Sequence, residues 1–391
     1  MMDTFQKEFT GLIRAAFTAS PAGLSSDFDL KRVVDVSRKH NIAAIVFYGA
    51  VNCGLPLEDA CMQELYQMTM RSIAVSFRQT HEIEQIENAF RQEGIEYMPL
   101  KGTILKGLYP KPEMRTMGDA DILIKLEQYA KVGEIVTQLG FAFQYESDHE
   151  LVWKKPTLYL ELHKSIMTSY NRDFYSYFGT GWKIAKKVPD CSRYEMSAED
   201  FYIFIFVHFT KHYRISGIGI KHLIDLWVYA NAQPELDWTY IENELEKMNL
   251  SRFYANVRKT IDVWFHEEEA TDITDLITNV IFNSGQYGTS DMAFVNRAIR
   301  NGQNSAMKIK LGEPLKKFFA PYSVMKEKYR ILEKLPVLLP VMWIVRLVDF
   351  CIHKKSYLKR YVKRISRVSS KQVEENQLAL HVVGLEFEDD K

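Results

Sequence analysis

The sequence has no surplus of charge. Lys and Arg together number 50 in 391 residues, and so do Asp and Glu. That balance argues against bulk electrostatic attraction as the basis of binding, and no stable complex with nucleic acid is expected. Cysteine is scarce. Cys53, Cys61, Cys191 and Cys351 lie far apart with no CxxC, which offers no zinc site by spacing and suits a reducing cytoplasm. HExxH is absent as well. Long apolar runs are missing: the most apolar stretch, LPVLLPVMWIV at 335–345, is short for a bilayer and is interrupted by Pro336 and Pro340. The N-terminal MMDTFQKEFTGLIRAAF mixes Asp and Glu with its apolar residues, which is not the pattern of a signal peptide. No internal repeat or low-complexity linker is visible. A cytoplasmic protein of two or three domains is the expectation.

What is present changes texture along the chain. Up to about residue 93 apolar residues recur at helical spacing, as in Phe5, Phe9, Ile13 and Phe17, or Leu65, Met68, Ile73 and Phe77. Gly94 follows EIEQIENAFRQ where a C-cap belongs. Extended and helical patterns then alternate. Ile95–Leu100 is extended, Thr103–Tyr109 a short helix and Asp119–Lys125 a strand. Glu127–Leu139 is a helix ended by Gly140. LVWKK and TLYLELHK form a hairpin about Pro156. From about residue 198 helices return. The expected organisation is an N-terminal helical region (1–93), an α/β core (94–197), a C-terminal helical domain (198–368) and a loosely ordered tail (369–391). The fold class is α+β, a small mixed sheet flanked by helical regions.

The chemistry sits in the α/β part. Alternate side chains of a strand share a face, so Asp119 and Asp121 point the same way while Ala120 and Ile122 point into the core. Their Cα atoms are about 7 Å apart, within reach of one hard cation or two. In Leu158-Tyr159-Leu160-Glu161-Leu162-His163 the leucines take one face and Tyr159, Glu161 and His163 the other. If this strand lies beside the first, Glu161 supplies a third carboxylate. Three carboxylates around one point call for a divalent metal or for protonation of one of them. Upstream, Lys101-Gly102-Thr103 ends a strand and opens a helix. There a glycine lets backbone N–H groups approach a phosphate and Thr103 offers a hydroxyl. Lys101 and Arg115 are nearby cations able to hold a triphosphate, or else solvated strand and loop ends.

The pattern Lys101-Gly102-Thr103, Tyr109-Pro110, Arg115, then Asp119-Ala120-Asp121-Ile122-Leu123 resembles the polymerase-beta-type nucleotidyltransferase superfamily. With Glu161-Leu162-His163, it is similar to a bacterial group described as uncharacterised nucleotidyltransferases. The segments at 208–229 and 338–346 resemble that group too, so the likeness covers about residues 35–355. The gap between Gly102 and Asp119 is longer than is usual there, and Thr103 stands where Ser is common. The resemblance implies a mixed sheet with helices on one face and a helical domain closing the cleft. It implies transfer of a nucleoside monophosphate from an NTP, ATP favoured, to a hydroxyl, with release of pyrophosphate. Asp119 and Asp121 would hold two Mg²⁺ ions. Glu161 would help to bind one of them and take the acceptor's proton. The acceptor is unidentified.

Three further features admit more than one reading. His208 and His212, four apart on one helix face, with Lys221, can contact the triphosphate or base. Alternatively they are a polar stripe on a buried helix, with Lys221 and Asp225 an i,i+4 pair. His163 can orient Glu161, touch phosphate or simply pack. The run HKKSYLKRYVKRISR at 353–367 forms a basic amphipathic helix. It can contact an anionic membrane or RNA, but a solvated helix with its apolar side on the body is preferred. The alternatives to an active transferase are a catalytically silent nucleotide- or partner-binding relative, and a membrane-surface or nucleic-acid module built on this helix.

Overall fold

A computed structural model describes residues 2–168, 171–286 and 288–386. The chain divides into two compact units, one of 1–213 with 218–287 and the other of 214–217 with 288–391. The boundaries expected at 93/94 and 197/198 therefore do not separate compact bodies. The N-terminal helices pack with the α/β core and with the helices up to residue 286. Within that unit Phe9 meets Phe282 edge-on, 5.6 Å between ring centroids, and Gly49 packs so closely on Leu12 that a Cβ would lie 1.9 Å from its carbonyl oxygen.

The centre of the first unit is a five-stranded mixed sheet. Its strands are β1 (Tyr97–Pro99), β2 (Asp119–Ile124), β3 (Ala142–Glu146), β4 (Glu150–Lys155) and β5 (Leu158–His163), in the order β1-β2-β5-β4-β3. β4 and β5 form the hairpin expected about Pro156, while β2 and β5 run parallel. Period-two alternation decides the faces. Ala120, Ile122 and Ile124 of β2, Leu158, Leu160 and Leu162 of β5 and Trp153 of β4 face one way. They pack on Ile86 and Phe90 of the helix Ala60–Gln92 and on Val132, Ile135 and Val136 of the helix Tyr129–Gln138. Two helices thus cover one face, and the polar side chains are left on the other. Burying sixteen apolar residues this way supplies about 1.5–3 kcal/mol for each large side chain. Not every residue of the helical pattern is used: Phe77 is exposed.

The second unit is helical. Its last helix, Ser370–Val383, replaces the loose tail expected from residue 369. Ser369 caps it by accepting from Gln372 N at 3.1 Å, and Val373, Leu380 and Val383 share its buried face. The acidic end at 387–391 lies outside the described residues. The apolar stretch at 335–345 also differs from expectation. Pro336 begins a 3₁₀ turn (Pro336–Leu338) and Pro340 sits in the first turn of the helix Leu339–His353. A proline there gives up no needed N–H, so the two prolines start the helix instead of splitting it. The resulting run, Pro336–His353, has 18 residues and a mean hydropathy of 1.6. By length and composition alone it is sufficient to cross a membrane.

Candidate active site

Register creates the site. In the parallel β2–β5 ladder Asp119 stands opposite Tyr159 and Asp121 opposite Glu161. All four point to the face away from the helices. One carboxylate or imidazole atom from each of Asp121, Glu161 and His163 lies within 4.8 Å of the others, and no other such cluster occurs among the described residues. Asp119 is half-buried on the same face, and Asp121 is buried.

The carboxylates do not stand bare. Lys101 Nζ donates to Asp121 Oδ1 at 3.1 Å, and His163 Nε2 lies 2.8 Å from the same oxygen and 3.7 Å from Glu161 Oε2. The other ring nitrogen of His163, Nδ1, is buried without a partner. Burial opposes ionisation of Asp121. The Lys101 ammonium and the His163 hydrogen bond outweigh it and hold this carboxyl far below the usual range. Glu161 goes the other way. Burial, then repulsion from Asp121 and Asp119, pushes it up to about 8. Burial and Asp121 also raise Asp119. Burial pulls Lys101 down, but Asp121, Asp119 and Glu161 more than restore it. The three carboxyls therefore repel one another, and Glu161 is the one whose ionisation burial and this repulsion oppose most.

Lys101 occupies an unusual backbone position, φ 35° and ψ −102°. A non-glycine residue is strained there. That turn delivers its side chain to Asp121 and places Gly102 at the start of a single helical turn, Gly102–Leu105. A Cβ on Gly102 would lie 2.9 Å from Met117 Sδ and 3.2 Å from its Cγ, so the glycine is required by packing on the returning loop. Thr103 Oγ1 donates to the Leu100 carbonyl at 2.8 Å. The hydroxyl offered to a phosphate in the sequence reading is thus engaged by its own turn.

Arg115 is committed elsewhere. Its Nε and Nη2 donate to the two oxygens of Asp225 at 2.8 and 2.9 Å, and its Nη1 donates to Thr116 O at 3.2 Å. Tyr109 Oη adds a bond to Asp225 Oδ1 at 2.7 Å. This buried fork pins the long Gly102–Asp119 connection to the helix Ile220–Ala232. It takes Arg115 away from a phosphate role, and it takes Asp225 from the expected pair with Lys221. Lys221 Nζ instead donates to Thr116 O at 3.0 Å. Burial pulls Lys221 down to about 8, with Asp225, Asp119 and Asp121 acting in the opposite direction.

The helices Ala198–Ser216 and Ile220–Ala232 bring imidazoles together. The rings of His208 and His212 are 4.5 Å apart between centroids, and those of His208 and His222 6.2 Å. Burial holds all three well below the ordinary histidine value, and the nearby lysines deepen the effect. Lys211, brought to about 8 by burial, feels Lys101 and also Asp121, Glu150 and Glu161. It therefore belongs to the electrostatic surroundings of the carboxylates. Sequence reasoning left Lys211 and His222 outside the site. The spacing His208, Lys211, His212 marks one helix face, but nothing local marks His222.

The arrangement suits a divalent cation. Its donors are carboxylate oxygens from two neighbouring strands with one imidazole beside them, and a lysine supplies positive charge in the state described. The profile of the family described as uncharacterised nucleotidyltransferase matches residues 26–266, and the chain belongs to that family. It is an enzyme of the nucleotidyltransferase class, which moves nucleoside monophosphate groups. Among solved structures, that of the antibiotic-resistance factor ANT(2'')-Ia is similar over 49% of this chain and all of its own, with 11% sequence identity and a TM-score of 0.32. Among curated protein sequences none matches the chain.

Proposed function

We propose that the protein transfers a nucleoside monophosphate, with ATP as the favoured donor, to a hydroxyl on a small-molecule or protein acceptor in the cytoplasm. The observation that carries this reading is the pairing of Asp121 with Glu161 across parallel strands, with Asp119 on the same face. Asp119, Asp121 and Glu161 would hold Mg²⁺, two ions being the expectation. Bound metal would neutralise charge on the triphosphate and stabilise the entering and leaving oxygens. The residues supply the rest. Lys101 exchanges Asp121 for the triphosphate once the carboxylates have another cation, and Lys211, Lys221 and the imidazoles of His208 and His212 line the anion's approach. Glu161, ionised in the loaded site, accepts the acceptor's hydroxyl proton. The acceptor oxygen forms a bond to the α-phosphorus, the bond from that phosphorus to the bridging oxygen breaks, and pyrophosphate leaves.

Incubation with α-labelled and γ-labelled NTPs, Mg²⁺ and cell extract tests this. Label should move to an acceptor from the α position alone, and the double variant Asp119→Asn/Asp121→Asn should lose at least about a thousandfold in rate while staying folded. Transfer of γ label, no transfer with any NTP, or an active double variant would each overturn the reading.

A further inference from the structure

The second unit carries an apolar face that its own fold leaves open. In the run Pro336–His353, Leu339, Met342 and Trp343 pack on Ala320, Met325 and Leu332. Trp343 Nε1 donates to the Ala320 carbonyl at 2.9 Å and Arg346 Nε to the Lys317 carbonyl at 3.2 Å. The opposite side of the helix is bare. Val337, Val341, Ile344, Val345, Val348 and Ile352 recur at helical spacing, and each is between 41% and 80% exposed. Scattered exposed apolar residues are ordinary, but a continuous aliphatic stripe is not.

The charge beside this stripe says what covers it. Residues 306–367 contain sixteen Lys and Arg against four Asp and Glu, although the whole chain is balanced. The helix that follows, Lys355–Arg367, has no acidic residue. It leaves Lys355, Lys359, Arg360, Lys363 and Arg367 exposed while Tyr361 is buried. An aliphatic ridge with a dense cationic flank matches an anionic lipid surface, where acyl chains take the ridge and headgroups the cations. Nucleic acid would match the cations only, because aliphatic side chains offer bases no stacking platform. Spanning is disfavoured because one side of the helix is already fastened to its own unit through Trp343 and Arg346.

We propose that the second unit docks this protein on an anionic membrane surface, with the helix Leu339–His353 lying in the interface and Lys355–Arg367 on the headgroups. The full-length protein is tested by flotation with phosphatidylcholine vesicles, with and without phosphatidylglycerol, at low and high salt. It should float with anionic vesicles only, and high salt should release it. Ile344→Glu/Val348→Glu should abolish flotation. Lys355→Glu/Lys359→Glu should weaken it at least about tenfold, since each cation near the surface contributes roughly fivefold. Both substitution pairs lie on exposed positions, so unchanged thermal unfolding will show that the fold is intact. Four outcomes would overturn the proposal: equal flotation with neutral vesicles, no flotation at all, retention after alkaline carbonate extraction, or a change of oligomeric state in Ile344→Glu/Val348→Glu without loss of flotation. Retention of RNA by the wild type without vesicle binding would also overturn it and would assign the cations to RNA.

Discussion

The Lys101 ammonium lies 3.1 Å from Asp121 Oδ1, on a carboxylate that faces Glu161 across the sheet. A lysine delivered there by a strained turn acts as the counter-charge of the metal-free site. Replacing Lys101 with Gln should leave Asp121 short of compensation in a buried place. The metal-free variant should lose about 1–3 kcal/mol of stability, and saturating Mg²⁺ should recover most of that loss. Thermal unfolding of wild type and variant with and without Mg²⁺ is the measurement. A loss that Mg²⁺ leaves untouched would mean that Lys101 supports the fold independently of the metal site.

Glu161 should make stability depend on pH in a defined window. Its folded value near 8 stands above the ordinary 4.5, so the unfolded chain releases this proton first. Folding of the metal-free protein therefore weakens as pH rises between those values. The neutral histidines work in the opposite direction below their ordinary value of 6.5, and Lys211 and Lys221, brought to about 8, do so as pH approaches 8. Glu161→Gln keeps all of these groups, so comparing the two proteins over pH 6.5–8 isolates Glu161. There the stability of Glu161→Gln should gain on wild type by up to about 1.4 kcal/mol per pH unit. Mg²⁺ should remove the difference in slope. Parallel curves from chemical denaturation across this interval would show that Glu161 is ionised throughout.

The Arg115–Asp225 fork predicts a contrasting result. Asp225→Asn strands a guanidinium that is 5% exposed, which costs about 3–5 kcal/mol. Because the pair lies outside the carboxylate cluster, Mg²⁺ should not restore the loss. Denaturant unfolding with and without Mg²⁺ separates this behaviour from that of Lys101.

Gly102→Ala should cost about 1–3 kcal/mol through overpacking on Met117. Met117→Ala alone should also destabilise, by opening a cavity. In the double variant the two losses should be less than additive, because the smaller residue at 117 makes room for the new methyl group. A double-mutant cycle by thermal unfolding reads the coupling, and strict additivity would show that the glycine serves something other than this contact.

Much of the core was legible in the chain. Asp119 and Asp121 alternate with Ala120 and Ile122, and Glu161 and His163 alternate with leucines, so each strand announced its polar face. The hairpin at Pro156 was marked by its turn, and the helix behind the sheet by the stretch EIEQIENAFRQ and the Gly94 that follows it. The two prolines near residue 340 misled, because a proline reads as a break until its position within a helical turn is known. The tail beyond 369 misled for a related reason: its apolar residues are few and widely spaced, and become a helix face only when a partner surface lies beneath them.

By itself the sequence determined which residues share a strand face, because the two-residue period is a local property of extended backbone. It determined that two carboxylates would lie together, and that positive charge concentrates between residues 306 and 367. Only the tertiary structure decided that β5 runs parallel to β2 with Glu161 opposite Asp121. Only it decided that Lys101 takes the place beside them, that Arg115 belongs to Asp225 instead of a phosphate, and that the apolar helix keeps one side uncovered. These are pairings between residues up to 110 positions apart, set by how buried faces pack and how buried charges find partners. No local pattern encodes them.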